Sequence, residues 1–236
     1  MHRACVGKLG VPSISNVRAF SIVAMRMRSR AAVSTFESPA TTGAATSVDQ
    51  LSAHLRSRRQ VEKLLGHGGV PVTALRAGII IGHGGISWEI TRQLVEHLPV
   101  MVTPRWVHTR TQPIAVADVV RYLVGVLAVP QTAGRSFDVG GTDVLAYLDM
   151  MRRLATLEGR NTIIVPVPLL SPMLSARWLS LVTDVNTHTA RSLIDSMTNE
   201  VVVSDDSIRS LIPFDPADYD TAVLHALAER ARAKRS

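Results

Sequence analysis

The run Val70 to Gly82 (VPVTALRAGIIIG) constrains this chain more than any other stretch. It is nearly continuous in apolar character and β-branched at its ends. That pattern suits a strand covered on both faces within a parallel sheet, rather than one with a wet side. Helical patterns surround it. Leu51 to Leu65 places Leu51, Leu55, Val61, Leu64 and Leu65 roughly on one face and stops at Gly66. Ser87 to Leu98 has Ser87 as a possible N-cap and Pro99 beyond its end, and Val116 to Val129 ends at Pro130. Tyr147 to Glu158 closes on Gly159, and helical patterns also cover Ser171 to Val182, His188 to Met197 and Pro216 to Arg232. Extended pieces fall at Val100 to Val102, Gln112 to Ala115, Arg135 to Val139, Thr162 to Val167 and Glu200 to Val203. Strands alternating with helices predict an α/β fold with a partly parallel sheet.

Composition narrows the function classes. With 46% hydrophobic and 19% charged residues, the chain carries enough apolar surface for a real core. No apolar run approaches the roughly 18 residues of a membrane span. The single cysteine, Cys5, can form neither an internal disulfide nor a cysteine-rich zinc site. The reading is therefore a cytoplasmic protein.

The net charge of +7 suggests nucleic acid until it is located. Residues 1–36 carry six bases and no acid, and the tail from Glu229 carries four bases and one acid, which leaves residues 37–228 at −2. The basicity sits at the two ends, not on a folded face, and aromatic residues are only 4%. Both facts argue against nucleic-acid binding. The Arg-rich start could serve as a mitochondrial transit peptide, the alternative to the cytoplasm. Ser34 to Asp49 is Ser/Thr/Ala/Gly-rich, so residues 1–50 are expected to form a basic, disordered extension.

Two motifs could carry chemistry. Gly82-His83-Gly84-Gly85 lies between strand and helix, where bare backbone could hold a phosphate or merely make a tight turn. His54 and Arg58 are four apart and share a helix face. No Walker motif, metal-type cluster or nucleophile elbow appears.

Five stretches, taken in order, resemble a known family. They are His54-Leu-Arg-Ser-Arg58 with Val61 and Glu62; Pro71 to Gly82; Leu98 to Trp106; Gln112 to Val119; and Gly134 to Gly141. Together they look like the later part of an atypical short-chain dehydrogenase/reductase, closest to the NAD(P)-binding, NmrA-like proteins related to an accessory subunit of respiratory complex I. The resemblance runs from about Leu51 to about Leu227.

It implies a partial Rossmann-like parallel sheet over residues 51–141 and a small α/β substrate-side lobe over 142–236. It also implies NAD or NADP as cofactor. The family's Tyr-x-x-x-Lys pair falls on His54 and Arg58, which become the implied catalytic positions, with Arg58 on the nicotinamide ribose. Arg76, Gly78, Ile79, Ile81 and Gly82 would line the cofactor, and no metal is implied. Asp118 would cap its helix, and Trp106, Trp178, Met150 and Met151 could line an apolar pocket or simply be core.

The family's opening strand, Gly-x-x-Gly-x-x-Gly turn and following βα units are not matched, since Gly7-x-x-Gly10 has no third glycine. The chain therefore resembles a truncated member with weak or no catalysis. The alternatives are an oxidoreductase or isomerase of an unidentified small molecule, completed by a partner or an upstream segment, and a non-catalytic assembly protein. Unpaired sheet edge would favour a protein partner or a homo-oligomer.

Overall fold

The computed structural model describes residues 22–26, 31–35, 60, 64–65, 71–166 and 197–235. The described elements are β1 (Ile22–Arg26), β2 (Ala31–Thr35), β3 (Val72–Ala77), β4 (Ile80–Ile81), α1 (Ile86–His97) and β5 (Val100–Thr103). They continue with β6 (Arg110–Thr111), β7 (Ile114–Ala115), α2 (Val116–Ala128), β8 (Ser136–Val139), β9 (Leu145–Ala146) and α3 (Tyr147–Leu157). The last are β10 (Ile163–Pro166), α4 (Ser207–Leu211) and α5 (Tyr219–Ala233).

The long apolar run is the hinge of the architecture. β3 pairs in parallel with β8, Leu75 opposite Phe137 and Ala77 opposite Val139. The chain then bends at Gly78, and β4 joins a second parallel pair with β7, Ile80 opposite Ile114. One expected strand is thus two, because its ends serve different sheets. The continuous apolar character follows from burial on both sides. Leu75, Ala77 and Ile80 belong to a core with Val119, Tyr122, Val126 and Phe137. Ile79 and Ile81 belong to the other, with Trp88, Leu94, Met101, Met150, Leu154 and Val223.

The other flank of β3 holds a difference from expectation. β1 lies antiparallel to β3, Ile22 opposite Leu75, and β2 is antiparallel to β1, giving the order β2-β1-β3-β8. The stretch read as a disordered extension thus contributes two antiparallel strands. The physical reason is the open hydrogen-bonding edge of β3, which any extended, β-prone segment can pair with; Ile22 to Met25 supplies one.

Helices α1, α2, α3 and α5 match their expected spans to within a few residues. Their caps do not. The N-cap of α1 is Gly85, with no side-chain cap; Ser87 is buried inside the first turn, and its carbonyl accepts from the Thr91 hydroxyl at 3.0 Å. The N-cap of α2 is Ala115, and Asp118 accepts a hydrogen bond at 2.8 Å from the Ala217 N–H, far along the chain. Only α5 carries a side-chain cap of the expected kind, Asp218 accepting from the Thr221 N–H at 2.7 Å. Glu200 to Val203 forms no strand, only an isolated bridge from Val201 to Thr111. Met150 and Met151, on α3, are buried core residues. Trp106 meets Tyr147 edge-on at 5.7 Å. Trp178 and the helices expected at Ser171 to Val182 and His188 to Met197 lie outside the described residues, apart from Met197, which is helical.

A charge network fastens α5 to α1. Arg92, nearly buried, donates to Glu89 at 2.7 and 2.9 Å and to Glu96, which also accepts from Arg230. Burial opposes ionisation of Glu96, but the hydrogen bonds and charges of Arg92 and Arg230 outweigh it and hold its pKa below the ordinary value. An acid whose folded pKa is depressed adds stability above its unfolded pKa, and that stability is lost as pH falls through the folded value. Glu96→Ala is therefore expected to cost about 1–3 kcal/mol at neutral pH. The deficit should shrink as the pH falls below the ordinary carboxylate range, read from urea midpoints across pH.

Candidate functional site

In open α/β sheets, ligands lie outside the carboxyl ends of parallel strands. Here β3 is followed by Gly78, β8 by Gly140–Gly141 and β4 by Gly82, while β7 runs directly into α2. These ends define two places.

The first, at the end of β3 and β8, is filled by the chain itself. A Cβ on Gly78 would stand 2.9 Å from Thr111 Oγ1 and 3.0 Å from Val201 Cγ1, so the bare backbone faces side chains of this protein. Gln112 clamps the arrangement. Its Nε2 donates to the Gly141 carbonyl at 2.7 Å and its Oε1 accepts from the Val203 N–H at 3.0 Å. Beside it, Asp138 stands in register with Arg76. Its Oδ2 accepts from the Ser204 hydroxyl at 2.8 Å, and its Oδ1 has no hydrogen-bond partner.

Burial pushes the Asp138 carboxyl above its ordinary pKa, although Ser204 and the nearby Arg76 charge favour the ionised form. An acid whose folded pKa is raised loses stability as pH rises from its unfolded pKa to the folded one, and the full cost is present above it. Asp138→Asn keeps an acceptor for Ser204 and removes the charge. Its denaturation midpoint is expected to exceed that of the parent at pH 7, with the advantage disappearing as the pH drops below the ordinary carboxylate range. A lower midpoint at pH 7 would mean that attraction to Arg76 outweighs burial.

The second place follows β4. Gly84 takes a left-handed turn at φ 82°, and the Gly85 N–H closes it onto the Gly82 carbonyl at 3.2 Å. A phosphate at this helix start would need the free amide of Gly84. That N–H instead donates to Glu89 Oε1 at 3.1 Å, with His83 Nδ1 3.4 Å from the same oxygen. A carboxylate from the first turn of α1 occupies the anion position, and the motif is a self-satisfied strand-to-helix turn.

On the other side of Gly82, the ends of β4 and β7 open into a cavity of about 260 Å³. Ile81, Val116, Ala222 and Ala226 form its walls, and His225, Glu229 and Arg232 of α5 stand at its mouth.

Of the residues expected to bind cofactor, Ile81 and Gly82 line this cavity, Gly78 is packed against Thr111 and Val201, and Ile79 is in the core. Arg76 sits beside Asp138. His54 and Arg58 lie outside the described residues, as does most of their expected helix, of which Gln60, Leu64 and Leu65 are helical. Three residues escaped the sequence reading: Gln112 and Asp138, whose partners are distant in sequence, and Glu89. For Glu89 a signal existed, since an acid in the first turn after a glycine-rich loop commonly sits on that loop's free amides. Among the described residues no group of three or more His, Cys, Asp or Glu could hold a metal, and no helix is long and apolar enough to cross a membrane.

No protein-family model matches the chain, and no curated protein matches it. Solved structures do. An NADPH-dependent quinone oxidoreductase from Escherichia coli, complexed with NADPH, is 17% identical over 80% of this chain and 64% of its own length, with a TM-score of 0.59. A nucleoside-diphosphate-sugar epimerase from Staphylococcus aureus is 14% identical over 79% of this chain and 62% of its own length, at 0.58. A UDP-glucose 4-epimerase from Thermotoga maritima, solved with UDP-glucose, is 12% identical over 77% of this chain and 53% of its own length, at 0.51. The chain thus spans between about half and just under two thirds of these structures. At such identities the likeness speaks for the fold alone, and the fold it shows is a Rossmann-like α/β one.

Proposed function

We propose that this chain is an atypical, NmrA-like member of the short-chain dehydrogenase/reductase superfamily that binds NAD or NADP weakly and has little or no turnover by itself. The observation that carries the reading is the parallel pair β3–β8 with glycines at both carboxyl ends. The motif order from His54 to Gly141 and the fold shared with an NADPH-bound quinone oxidoreductase support it.

Weakness follows from the fit. Among the described residues the two glycine turns that could meet a dinucleotide are already engaged: Gly78 by Thr111 and Val201, and Gly84 by Glu89. They form no pyrophosphate cradle, and no catalytic step is assigned through the cofactor. In this reading His54 is the polar group nearest a reacting carbon and Arg58 holds ribose hydroxyls. Arg58 cannot release its proton near neutral pH, so it positions and does not act as an acid or base. Arg76, Gly78, Ile79, Ile81 and Gly82 are the remaining cofactor-side positions, and residues 142–236 form the substrate-side lobe. The proposed location is the cytoplasm, with the mitochondrion as the alternative.

A second reading, an oxidoreductase or isomerase completed by a partner chain, is favoured by one observation. Val120 and Val124 on α2 are 51% and 64% exposed, an apolar helix face left open. Oxidation of NADPH with quinone acceptors, by the purified chain alone and together with any protein that co-purifies with it, separates the two. The first reading expects a rate unchanged by His54→Ala or Arg58→Ala, at the level of the uncatalysed reaction. A rate well above background that either variant abolishes would establish a working enzyme.

A further inference from the structure

The cavity at the ends of β4 and β7 has two unusual features. Its walls are aliphatic, with α5 contributing only the methyl groups of Ala222 and Ala226 there, while His225, Glu229 and Arg232 of the same helix stand at its rim. Its mouth carries an acid and a base, Glu229 and Arg232, three apart on α5.

Acid–base pairs at that spacing close elsewhere in this protein. Glu89 meets Arg92 at 2.7 Å, Asp118 meets Arg121 at 3.7 Å, and Asp149 meets Arg152 at 3.9 Å, the last between two exposed side chains. Glu229 and Arg232 have the same order and spacing, yet no ion pair joins them or ties either to another described residue. The mouth therefore presents one open negative and one open positive charge about a helix turn apart, above an apolar pocket.

We propose that this cavity binds a small aliphatic α-amino acid. Arg232 would take the carboxylate through its two-pronged guanidinium, Glu229 would take the ammonium group, and the side chain would fill the space between Ile81, Val116 and Ala226. A simple fatty acid would leave Glu229 facing its carboxylate, and a simple amine would face Arg232; only a zwitterion satisfies both. The volume, about 260 Å³, lies below the ~300–1,000 Å³ typical of drug-sized ligands, which limits the body to a few carbons. The proposal does not depend on nucleotide binding.

The test is equilibrium dialysis of the full chain with leucine, 4-methylpentanoate and 3-methylbutylamine, with no nucleotide present. Leucine is expected to bind saturably at one per chain, and each singly charged analogue about tenfold or more weakly. Glu229→Gln and Arg232→Gln, both at exposed positions, should each weaken leucine about tenfold with an unchanged melting temperature. Ala228→Trp, at an exposed lining position, should block the mouth and abolish binding. No saturable leucine binding up to about 10 mM would overturn the proposal, being weaker than any useful recognition. Equal affinity for either analogue, or binding that survives Ala228→Trp, would overturn it as well.

Discussion

Gly141→Ala is expected to destabilise the chain by about 3–5 kcal/mol, enough to unfold a marginally stable domain. A Cβ at this position would stand 2.4 Å from the Pro113 carbonyl oxygen and 3.2 Å from that of Ala217. Both obstacles are backbone, so no rotamer change relieves them. The Gly141 N–H donates to that same Pro113 oxygen at 2.9 Å, while its carbonyl accepts from Gln112 at 2.7 Å and from Arg209 at 3.3 Å. Pushing the strands apart would weaken all three bonds together. Gly134→Ala makes a useful contrast. Nothing lies near its would-be Cβ, and its cost comes only from a φ of 72°. That cost is expected at about 1 kcal/mol. Thermal or urea denaturation of the two variants checks the ordering; equal losses would mean that the close approach at Gly141 is not there.

Trp88→Ala is the second large effect, at about 3–5 kcal/mol. Trp88 is completely buried, in the core that joins α1, α3 and α5 to β5 and β10, and its removal would leave a cavity in that core. Its indole N–H has no hydrogen-bond partner, so the ring contributes through packing alone. Trp88→Phe removes an unpaired buried donor while keeping most of the apolar volume. It is expected to cost about 1 kcal/mol or less. A Phe variant as damaged as the Ala variant would show that the indole N–H is in fact bonded.

The architecture was legible where local punctuation agreed with burial. Pro99, Pro130 and Gly159 mark the ends of α1, α2 and α3, and the helices stop within a few residues of them. The run Val72 to Ile81 read as doubly buried because it is, lying between two cores. Three features were not legible. The break at Gly78 arises because Ile80 pairs with Ile114, a partner 34 positions away that no local pattern names. The antiparallel pair Ile22–Arg26 and Ala31–Thr35 depends on the free edge of β3, a tertiary property that a short apolar patch in its own segment does not announce. The cap expected of Asp118 went astray because its carboxylate accepts from the N–H of Ala217, distant in sequence, and Ser87 missed its cap because the helix starts before it.

The candidate site was less legible still. Glycine positions after the strands came out of the sequence, but what fills the space against them did not. Thr111, Val201 and Glu89 take the places a ligand would need at Gly78 and Gly84. The cavity beside Gly82 needs α5 to return from more than a hundred residues away, bringing His225, Glu229 and Arg232 to one mouth.

Weak dinucleotide binding by a folded Rossmann-like chain is the central claim, and thermal denaturation with increasing NADPH or NADH tests it most directly. A ligand that binds only the native state raises the midpoint by an amount that grows with the logarithm of its concentration above Kd. The account predicts one cooperative transition whose midpoint stays unchanged until nucleotide reaches about the millimolar range. A saturable rise at micromolar nucleotide would contradict it, and would place a working dinucleotide site in a chain whose described glycine turns are already occupied.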